Sequence, residues 1–544
     1  MAKKINPLLV IVSLSFILRI LYLYLFAQDL FFNTFSDAAT YNLWAEKIIA
    51  GQGPHPPFFM SPLYPYLIAL VYLIFGKSIT LILLLQVFLD TATTYIIYRM
   101  SKIIFNERVA LVSSFLYAVF PSAIFYSGLL LMPTALTFLL TLATYLIISA
   151  LKRDKEALFF LSGLLFGIAC LGRGNILLPA IVPLFYTFKK RYLIGVLIPI
   201  LILTTINITV GKSPVLLTYN FGLNLYIGNS PIANGEYQRP PGLDLANDHD
   251  GRKIISHLLH KKIPRWQTSG YWTGLALKYM KENPLNSIIL MVKKLYLFWG
   301  PVEVAQFENI YYVFQRTLLR YLPLRIWLIV PLFLISIFFN RRRYTKLLLT
   351  ITLLYSFSFL PFFIIGRFCQ PVTPAVIILA SGFFFYLIKK IRKKAPMIPG
   401  LTATTIGIYI ILFLANQPKI ASELLETRSD YTLWLAYNNR VPEAYDSTRA
   451  ILKDHPLHVQ TLVNLGNFFY RAKNYPVARV LYEKARSTEP DNGEANANLG
   501  VTLIALGKPD SAIPVLEKAK TLMPFSLAID SSIVTARSIL KKDR

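Results

Sequence analysis

The chain has 544 residues, 55% of them hydrophobic, with a formal net charge of +28 and a mean hydropathy of +0.51. This composition excludes a soluble globular protein. Runs of about 17–22 apolar residues recur, long enough to cross a bilayer core of about 30 Å, and lipid admits no open sheet. The positive charge does not point to nucleic acid, because it clusters in short connections between apolar runs: Lys3 and Lys4, 99–102, Lys152 and Arg153, 189–191, 341–343 and 389–394. Cytoplasmic loops of membrane proteins carry that bias.

In chain order, membrane helices are expected near 7–27, 79–98, 108–127, 130–150, 156–171, 174–188, 192–210, 323–340, 345–365, 371–388 and 398–415. The first lacks a cleavage site and reads as an uncleaved helix. Each basic connection then falls on one face. A cytoplasmic N-terminus and an odd count of about eleven put the C-terminus outside. The expected domains are a membrane part, 1–416, with outer loops at about 28–78 and 211–322, and an outer-face tail, 417–544. Cys170 and Cys369 are too far apart in sequence to suggest a framework or a metal motif.

The first outer loop has its own pattern. From Asp37 to Ala50, Tyr41, Trp44, Ala45, Ile48 and Ile49 recur at helical spacing, with Gly51 at the stop position. This predicts a helix lying in the membrane interface. PLYPYLIALVYLIFG (62–76) is apolar but short of a span, so it reads as a second interfacial or re-entrant helix. In the second loop, NFGLNLYIGNSPIANGEY (220–237) is turn-rich, and 271–283 and 285–299 read as surface helices. In the tail, Gly466, Ala478 and Pro490 recur as Gly500, Ala512 and Pro524, and Ala444 and Pro456 precede them at the same 34-residue interval. That is the tetratricopeptide period: two clear repeats, a weaker one at about 424–457 and a capping helix at 526–541. The fold class is all-α, a polytopic membrane part followed by an α-solenoid.

Asp37 opens the first loop helix. A carboxylate there either caps the helix or takes the proton of an attacking hydroxyl. Glu46 is about two and a half turns away, so this loop offers no close carboxylate pair and a two-carboxylate glycosidase is disfavoured. Arg173 in LGRGN and Arg367 in GRFCQP join membrane helices on the outer face, where other short turns are nearly uncharged. Such cations suit a lipid phosphate, with snorkelling as the bland alternative. Arg239 is a weaker candidate. Asp90 lies inside a membrane helix beside Thr91, Thr93 and Thr94, which suggest a local polar contact. Asp248-His249-Asp250 offers the Asp-x-Asp pattern for a divalent cation, and metal dependence is left open. Glu303 and Glu308 are placed to contact an acceptor, or are solvated loop carboxylates.

These residues resemble the first outer loop of the GT-C glycosyltransferases: Asp37, Tyr41, Ile48 and Gly51, then a Pro-Leu-Tyr helix ending in Phe-Gly. More narrowly, the chain resembles bacterial glycosyltransferase family 39, relatives of protein O-mannosyltransferases and of the aminoarabinose transferase acting on lipid A. FYSGLLL (125–131), LGRGN (171–175), NLYIGN (224–229) and RFCQPVTP (367–374) are similar to blocks of that group. The resemblance implies a polyprenyl-phosphate-linked sugar donor, reaction at the outer face of the plasma membrane, and inversion with Asp37 as base. Arg173 and Arg367 look similar to basic positions of the group; their phosphate role is inferred from charge and placement, with Arg239, Tyr64 and His55 as helpers. Tyr41, Glu303, Asn224 and Asn229 are the candidate acceptor or substrate contacts. Two departures block a substrate name. Asp37-Ala38 stands where relatives carry Asp-Glu, and Met60-Ser61 stands where the lipid A enzyme has Glu-Lys.

The sequence thus predicts a membrane glycosyltransferase acting on an acceptor hydroxyl of protein, lipid or envelope glycan, with a peptide- or protein-binding repeat tail. The alternatives are a lipid-sugar flippase, which Asp90 would serve, and a non-catalytic anchored scaffold.

Overall fold

The computed structural model describes residues 6–26, 30–34, 36–245, 247–322, 324–339, 342–394 and 397–542. The basic residues Lys3, Lys4 and Arg341 and the expected helix end at 27 lie outside them. Among the described residues the regular elements are helices, with one isolated bridge between Glu236 and Ile364. The chain divides into two compact units: Met1–Tyr237 with Trp272–Pro418, and Gln238–Tyr271 with Lys419–Arg544.

In the first unit, six helices among the described residues are long and apolar enough to cross a membrane: Pro7–Leu25, Ile79–Ile104, Pro133–Arg153, Lys190–Thr209, Gly366–Arg392 and Met397–Ala415. A pair bent by 53°, Glu107–Ala118 and Pro121–Ser127, makes a seventh if it is one span. By length and composition alone this count is lower than the expected eleven. Helices do form at all the expected places, but Glu156–Gly172, Gly174–Tyr186 and Ile326–Phe339 are shorter apolar helices, of 10–17 residues. The expected helix 345–365 ends at Phe357, ahead of Pro361, a residue with no amide hydrogen for the helix ladder.

Small residues set the tightest packing. A Cβ on Gly163 would lie 2.1 Å from the Tyr192 carbonyl, and one on Gly195 would lie 2.4 Å from the Phe160 carbonyl. The helices Glu156–Gly172 and Lys190–Thr209 therefore touch backbone to backbone, as small residues allow in lipid.

Asp90 is buried; the Thr94 hydroxyl donates to its backbone carbonyl at 3.3 Å, but its carboxylate has partners beyond the neighbouring threonines. Arg19 Nε donates to Asp90 Oδ2 at 2.5 Å, and the Tyr117 hydroxyl donates to the other oxygen. Arg19 Nη1 also donates to the Ser15 and Ala118 carbonyls. Thr93 and Thr94 instead bond back to carbonyls of their own helix. Sequence reading overlooked Arg19 because it is one cation in an otherwise apolar helix.

The second unit stacks helix pairs, Val459–Arg471 with Tyr475–Thr488 and Gly493–Ala505 with Pro509–Leu522, followed by Leu527–Lys542 and preceded by Val441–Asp454. The 34-residue signature has a packing cause. Ala478 and Ala512 are fully buried, and a Cβ on Gly466 or Gly500 would come within 2.5 Å of Tyr482 or Leu516. Residues 238–271 belong to this unit as well. The Phe525 amide donates to the Pro241 carbonyl at 3.2 Å, and Gly242 sits against the backbone of Met523 and Ser526.

Removing one partner of a buried ion pair leaves an uncompensated charge. Arg19→Met or Asp90→Asn alone should therefore cost about 3–5 kcal/mol, and Arg19→Met with Asp90→Leu should recover most of it. Thermal unfolding in detergent checks this, and single variants as stable as the wild type would refute it.

Candidate active site

The site begins with the helix Ser36–Ile49, whose first turn holds Asp37. One turn later, Tyr41 lies on the same face. Ala38 and Ala45, both fully buried, let this helix sit close to the helix Leu63–Phe75. The Tyr41 and Tyr64 rings meet edge to face at 5.3 Å, and the Tyr72 hydroxyl donates to Asn42 at 2.7 Å. The two loop helices are thereby fixed to each other.

Arg367 arrives from a 3-10 turn, Gly366–Phe368, just before the helix Thr373–Arg392. The Gly366 amide donates to the Val304 carbonyl at 2.7 Å and anchors the turn on the segment 301–309. Arg367 Nη2 donates to Asp37 Oδ2 at 2.5 Å and to Gln306 Oε1 at 2.6 Å, and Nη1 lies 3.8 Å from Glu308 Oε1. The Asp37 side chain is 27% exposed, whereas Glu308 is 4% exposed. Of the two carboxylates on this guanidinium, Asp37 is thus the one within reach of a ligand.

Arg173 supplies the second cation. Its guanidinium stacks over Phe368 at 4.3 Å and lies 5.5 Å from the Phe359 ring, and Nη1 donates to the Tyr355 hydroxyl at 3.2 Å. No carboxylate among the described residues lies within ion-pair distance of it. Tyr41 feels all four charges. Burial raises its hydroxyl pKa, Asp37 and Glu308 add to that, and Arg367 and Arg173 oppose it. Tyr41 therefore stays a neutral phenol, able to hydrogen-bond but not to act as a base. Burial also raises the Glu308 carboxyl, against the pull of Arg367.

The structure brings together Asp37, Tyr41, Arg173 and Arg367, and adds Glu308, Gln306, Tyr355 and Phe368. The last three carried no sequence signal, because polar and aromatic residues are common in such loops. Other candidates have different places. Tyr64 is fully buried and spends its hydroxyl on Gln86 at 2.9 Å, so it offers a phosphate nothing. His55 is exposed in the Pro-rich connection, and Asn224 is half-buried in the helix Phe221–Gly228. Asn229 is buried; its amide donates to the Leu225 and Pro361 carbonyls, and its oxygen accepts from Lys294 at 3.2 Å, which is a structural clamp. Arg239 is exposed and belongs to the second unit. Glu303 accepts from the Ser122 hydroxyl and faces a separate cavity.

The Asp248-His249-Asp250 triplet caps a helix: Asp248 accepts from the Lys253 and Ile254 amides at 3.0 Å, and Asp250 from the Arg252 amide at 3.2 Å. No group of three His, Cys, Asp or Glu among the described residues is placed to hold a metal ion.

Residues 55–217 match the family described as dolichyl-phosphate-mannose-protein mannosyltransferase, and residues 469–524 match the tetratricopeptide repeat. The protein is thus a multi-pass membrane protein carrying a glycosyltransferase-family domain, followed by tetratricopeptide repeats. The first match covers less than a third of the chain; Arg173 lies inside it, and Asp37 and Arg367 lie on either side. No curated protein matches the chain. Among solved structures, the archaeal oligosaccharyltransferase AglB from Archaeoglobus fulgidus, in complex with an inhibitory peptide and a dolichol-phosphate, is similar at 15% identity and a TM-score of 0.39, over 81% of this chain and 58% of that one. ArnT from Cupriavidus metallidurans bound to undecaprenyl phosphate is similar at 12% identity and a TM-score of 0.39, over 94% of this chain and 79% of that one. The chain therefore spans less than two thirds of the oligosaccharyltransferase's length.

Burial pushes the Glu303 carboxyl up to about 7, from an ordinary value near 4.5. A carboxyl raised on folding favours the folded state most at low pH, and that contribution is lost as pH rises through the folded value. The thermal midpoint of the wild type should thus fall relative to Glu303→Gln between about pH 4.5 and pH 7. Parallel curves from a pH series of melts would refute this.

Proposed function

We propose that the chain is an inverting glycosyltransferase that moves a sugar from a polyprenyl-phosphate carrier to an acceptor hydroxyl. One observation supports this most: a reachable carboxylate, Asp37, shares a partly buried site with two fixed arginines, one of which has no carboxylate partner among the described residues. The mannosyltransferase-family match over 55–217 supports the donor class.

In this reading the carrier enters sideways from the bilayer and its phosphate docks at Arg173. The phosphate then competes with Asp37 for the Arg367 guanidinium. A carboxylate released from Arg367 at that moment is free to take the acceptor proton. The acceptor oxygen bonds to the anomeric carbon as the bond from that carbon to the phosphate oxygen breaks. The proton goes to Asp37, and the bonding pair leaves with the polyprenyl phosphate, which gains one unit of negative charge. Cations already in place stabilise that charge without reorganising. Neither Arg367 nor Arg173 is replaceable by Lys on this account, because a point charge neither bridges carboxylate and phosphate nor stacks on a ring.

We place the protein in the plasma membrane, with its N-terminus cytoplasmic and its repeats outside, following the basic connections. The repeats recruit a protein acceptor or envelope partner, through a groove of about 310 Å³ lined by residues that include Tyr445, Asn464, Asn467, Phe468 and Arg471. The flippase reading loses its main support, since Asp90 is consumed by Arg19.

Transfer from labelled polyprenyl-phosphate sugars in membranes tests the catalytic reading. Asp37→Asn should lower turnover about 10²–10⁴-fold with donor binding kept. Arg173→Ala should raise the donor KM about 10-fold or more, the worth of a lost hydrogen bond to a charged group. Equal transfer by Asp37→Asn would reduce Asp37 to a structural ion pair. Separately, Phe468→Ala with Arg471→Glu should weaken use of a protein acceptor about tenfold. Turnover with a short acceptor should be unchanged, and loss of both would refute the division of labour.

A further inference from the structure

We infer that the cavity of about 220 Å³ beside the Arg367 turn is a subsite for one pyranose ring, held by Glu303 and by the aromatic walls of Trp327 and Phe413. The inference rests on the glycosyltransferase reading of the neighbouring cluster. Ser122 enters from the helix Pro121–Ser127, Glu303 and Tyr311 from the connection before the helix Ile310–Arg316 and from that helix itself, and Arg325 and Trp327 from the start of the helix Ile326–Phe339. Phe413, near the end of the helix Met397–Ala415, also lines the cavity, with its ring 6.0 Å from that of Trp327.

The lining mixes polar groups, from Ser122, Glu303 and Arg325, with the aromatic rings of Tyr311, Phe314, Trp327 and Phe413. A sugar ring has the matching character: hydroxyls around its edge and an apolar C–H face. A carboxylate accepts several hydroxyl protons at once, and ring faces cover the C–H side. The volume lies below the usual range for drug-sized ligands, about 300–1,000 Å³, and so suits one ring rather than a chain.

Arg325 decides between a sugar and a phospholipid headgroup. Its Nη1 donates to the Leu322 and Leu324 carbonyls at 2.5 and 3.1 Å, and its Nη2 to the Leu319 and Arg320 carbonyls at 3.5 and 3.2 Å. Its guanidinium also stacks over Phe314 at 4.4 Å. Four of five donors are spent, so no fork is left to grip a phosphate. Arg325 and Glu303 form no ion pair, although the arginine's charge is felt at the carboxyl. What remains is the Glu303 carboxyl in a cavity lined by aromatic rings, which suits a neutral polyol.

The cavity is tied to the reacting centre by one segment. Residues 301–309 give Glu303 to the cavity, and Gln306 and Glu308 to Arg367. The Val304 carbonyl between them holds Gly366. A ring seated on Glu303 therefore belongs to the donor or to a glycan acceptor.

The test uses the full-length protein in detergent and saturation-transfer NMR with a panel of methyl glycosides. At least one glycoside should give signal with the wild type and with Asp37→Asn. That signal should fall at least tenfold in Glu303→Gln and in Trp327→Ala; Phe413→Ala replaces the latter if it does not fold. No glycoside signal in the wild type, undiminished signal in the variants, or signal from glycerophosphoethanolamine in place of glycosides would overturn the assignment. Kinetics assign the source. A raised acceptor KM in Glu303→Gln marks an acceptor ring, and a raised donor KM with unchanged inhibition by bare polyprenyl phosphate marks the donor ring. No change in either KM would also overturn it. Transfer by the wild type in the same preparation reports on the glycosyltransferase reading independently.

Discussion

The ion pair between Asp37 and Arg367 joins residues 330 positions apart in the chain. It brings the helix of the first loop to the turn that starts a late membrane helix, and the rest of the site is arranged around it. Arg367 points at Asp37 because Gly366 is pinned to Val304, and the same segment delivers Gln306 to the nitrogen that Asp37 shares and Glu308 to the other terminal nitrogen. Phe368, next in sequence, becomes the platform for Arg173. One short turn therefore fixes both cations, so their spacing does not depend on two independent loops. Preorganised charge of this kind is most effective where water is scarce.

The pair also explains why two arginines at one site are not redundant. Arg367 is shared between two carboxylates, one reachable and one buried. The Arg173 guanidinium meets aromatic rings and a tyrosine hydroxyl, with no carboxylate among the described residues within ion-pair distance. In the proposed mechanism an incoming phosphate meets Arg173 first, since there it displaces nothing charged. At Arg367 it must exchange with Asp37. In that mechanism anion binding has an order, and arrival of the phosphate is linked to release of the carboxylate.

Much of the fold was legible because it is written in local periodicity: apolar runs for the membrane helices, an amphipathic spacing from Asp37 to Ala50, and a 34-residue recurrence in the tail. Asp37, Arg173 and Arg367 were each legible as charges where uncharged residues were expected. Their meeting was not, because nothing local encodes a contact across 330 positions. Arg19 was hidden for the opposite reason: a single cation barely changes the hydropathy of an apolar helix, and its neutralising partner sits 71 residues away. Tyr64 and Asn229 were over-read. Both are polar residues in suggestive stretches, but burial turns their hydrogen-bonding groups to internal partners, Gln86 for one and Leu225, Pro361 and Lys294 for the other. A sequence shows that a polar group exists, not whether it is already satisfied.

The composition of the second unit adds a constraint that periodicity did not suggest. Sequence pattern ends the membrane part at 416, yet 238–271 folds with the repeats. Its fit there is specific at the backbone: Gly242 has φ +84°, a conformation side chains rarely adopt, and a Cβ would come within 2.7 Å of the Ser526 amide. Lys520 reaches Asp530 at 2.7 Å, and His257 from the inserted segment lies 4.0 Å from the same carboxylate. The repeats are therefore not a cassette that ends cleanly at a linker. Removing 419–544 would strip the partners from a stretch of the second loop, whose two ends run directly into the membrane unit at Tyr237 and Trp272. Loss of activity in such a truncation would confound a missing binding surface with a disordered loop. Point changes in the groove leave the inserted segment intact, and so isolate what the repeats bind from what they hold in place.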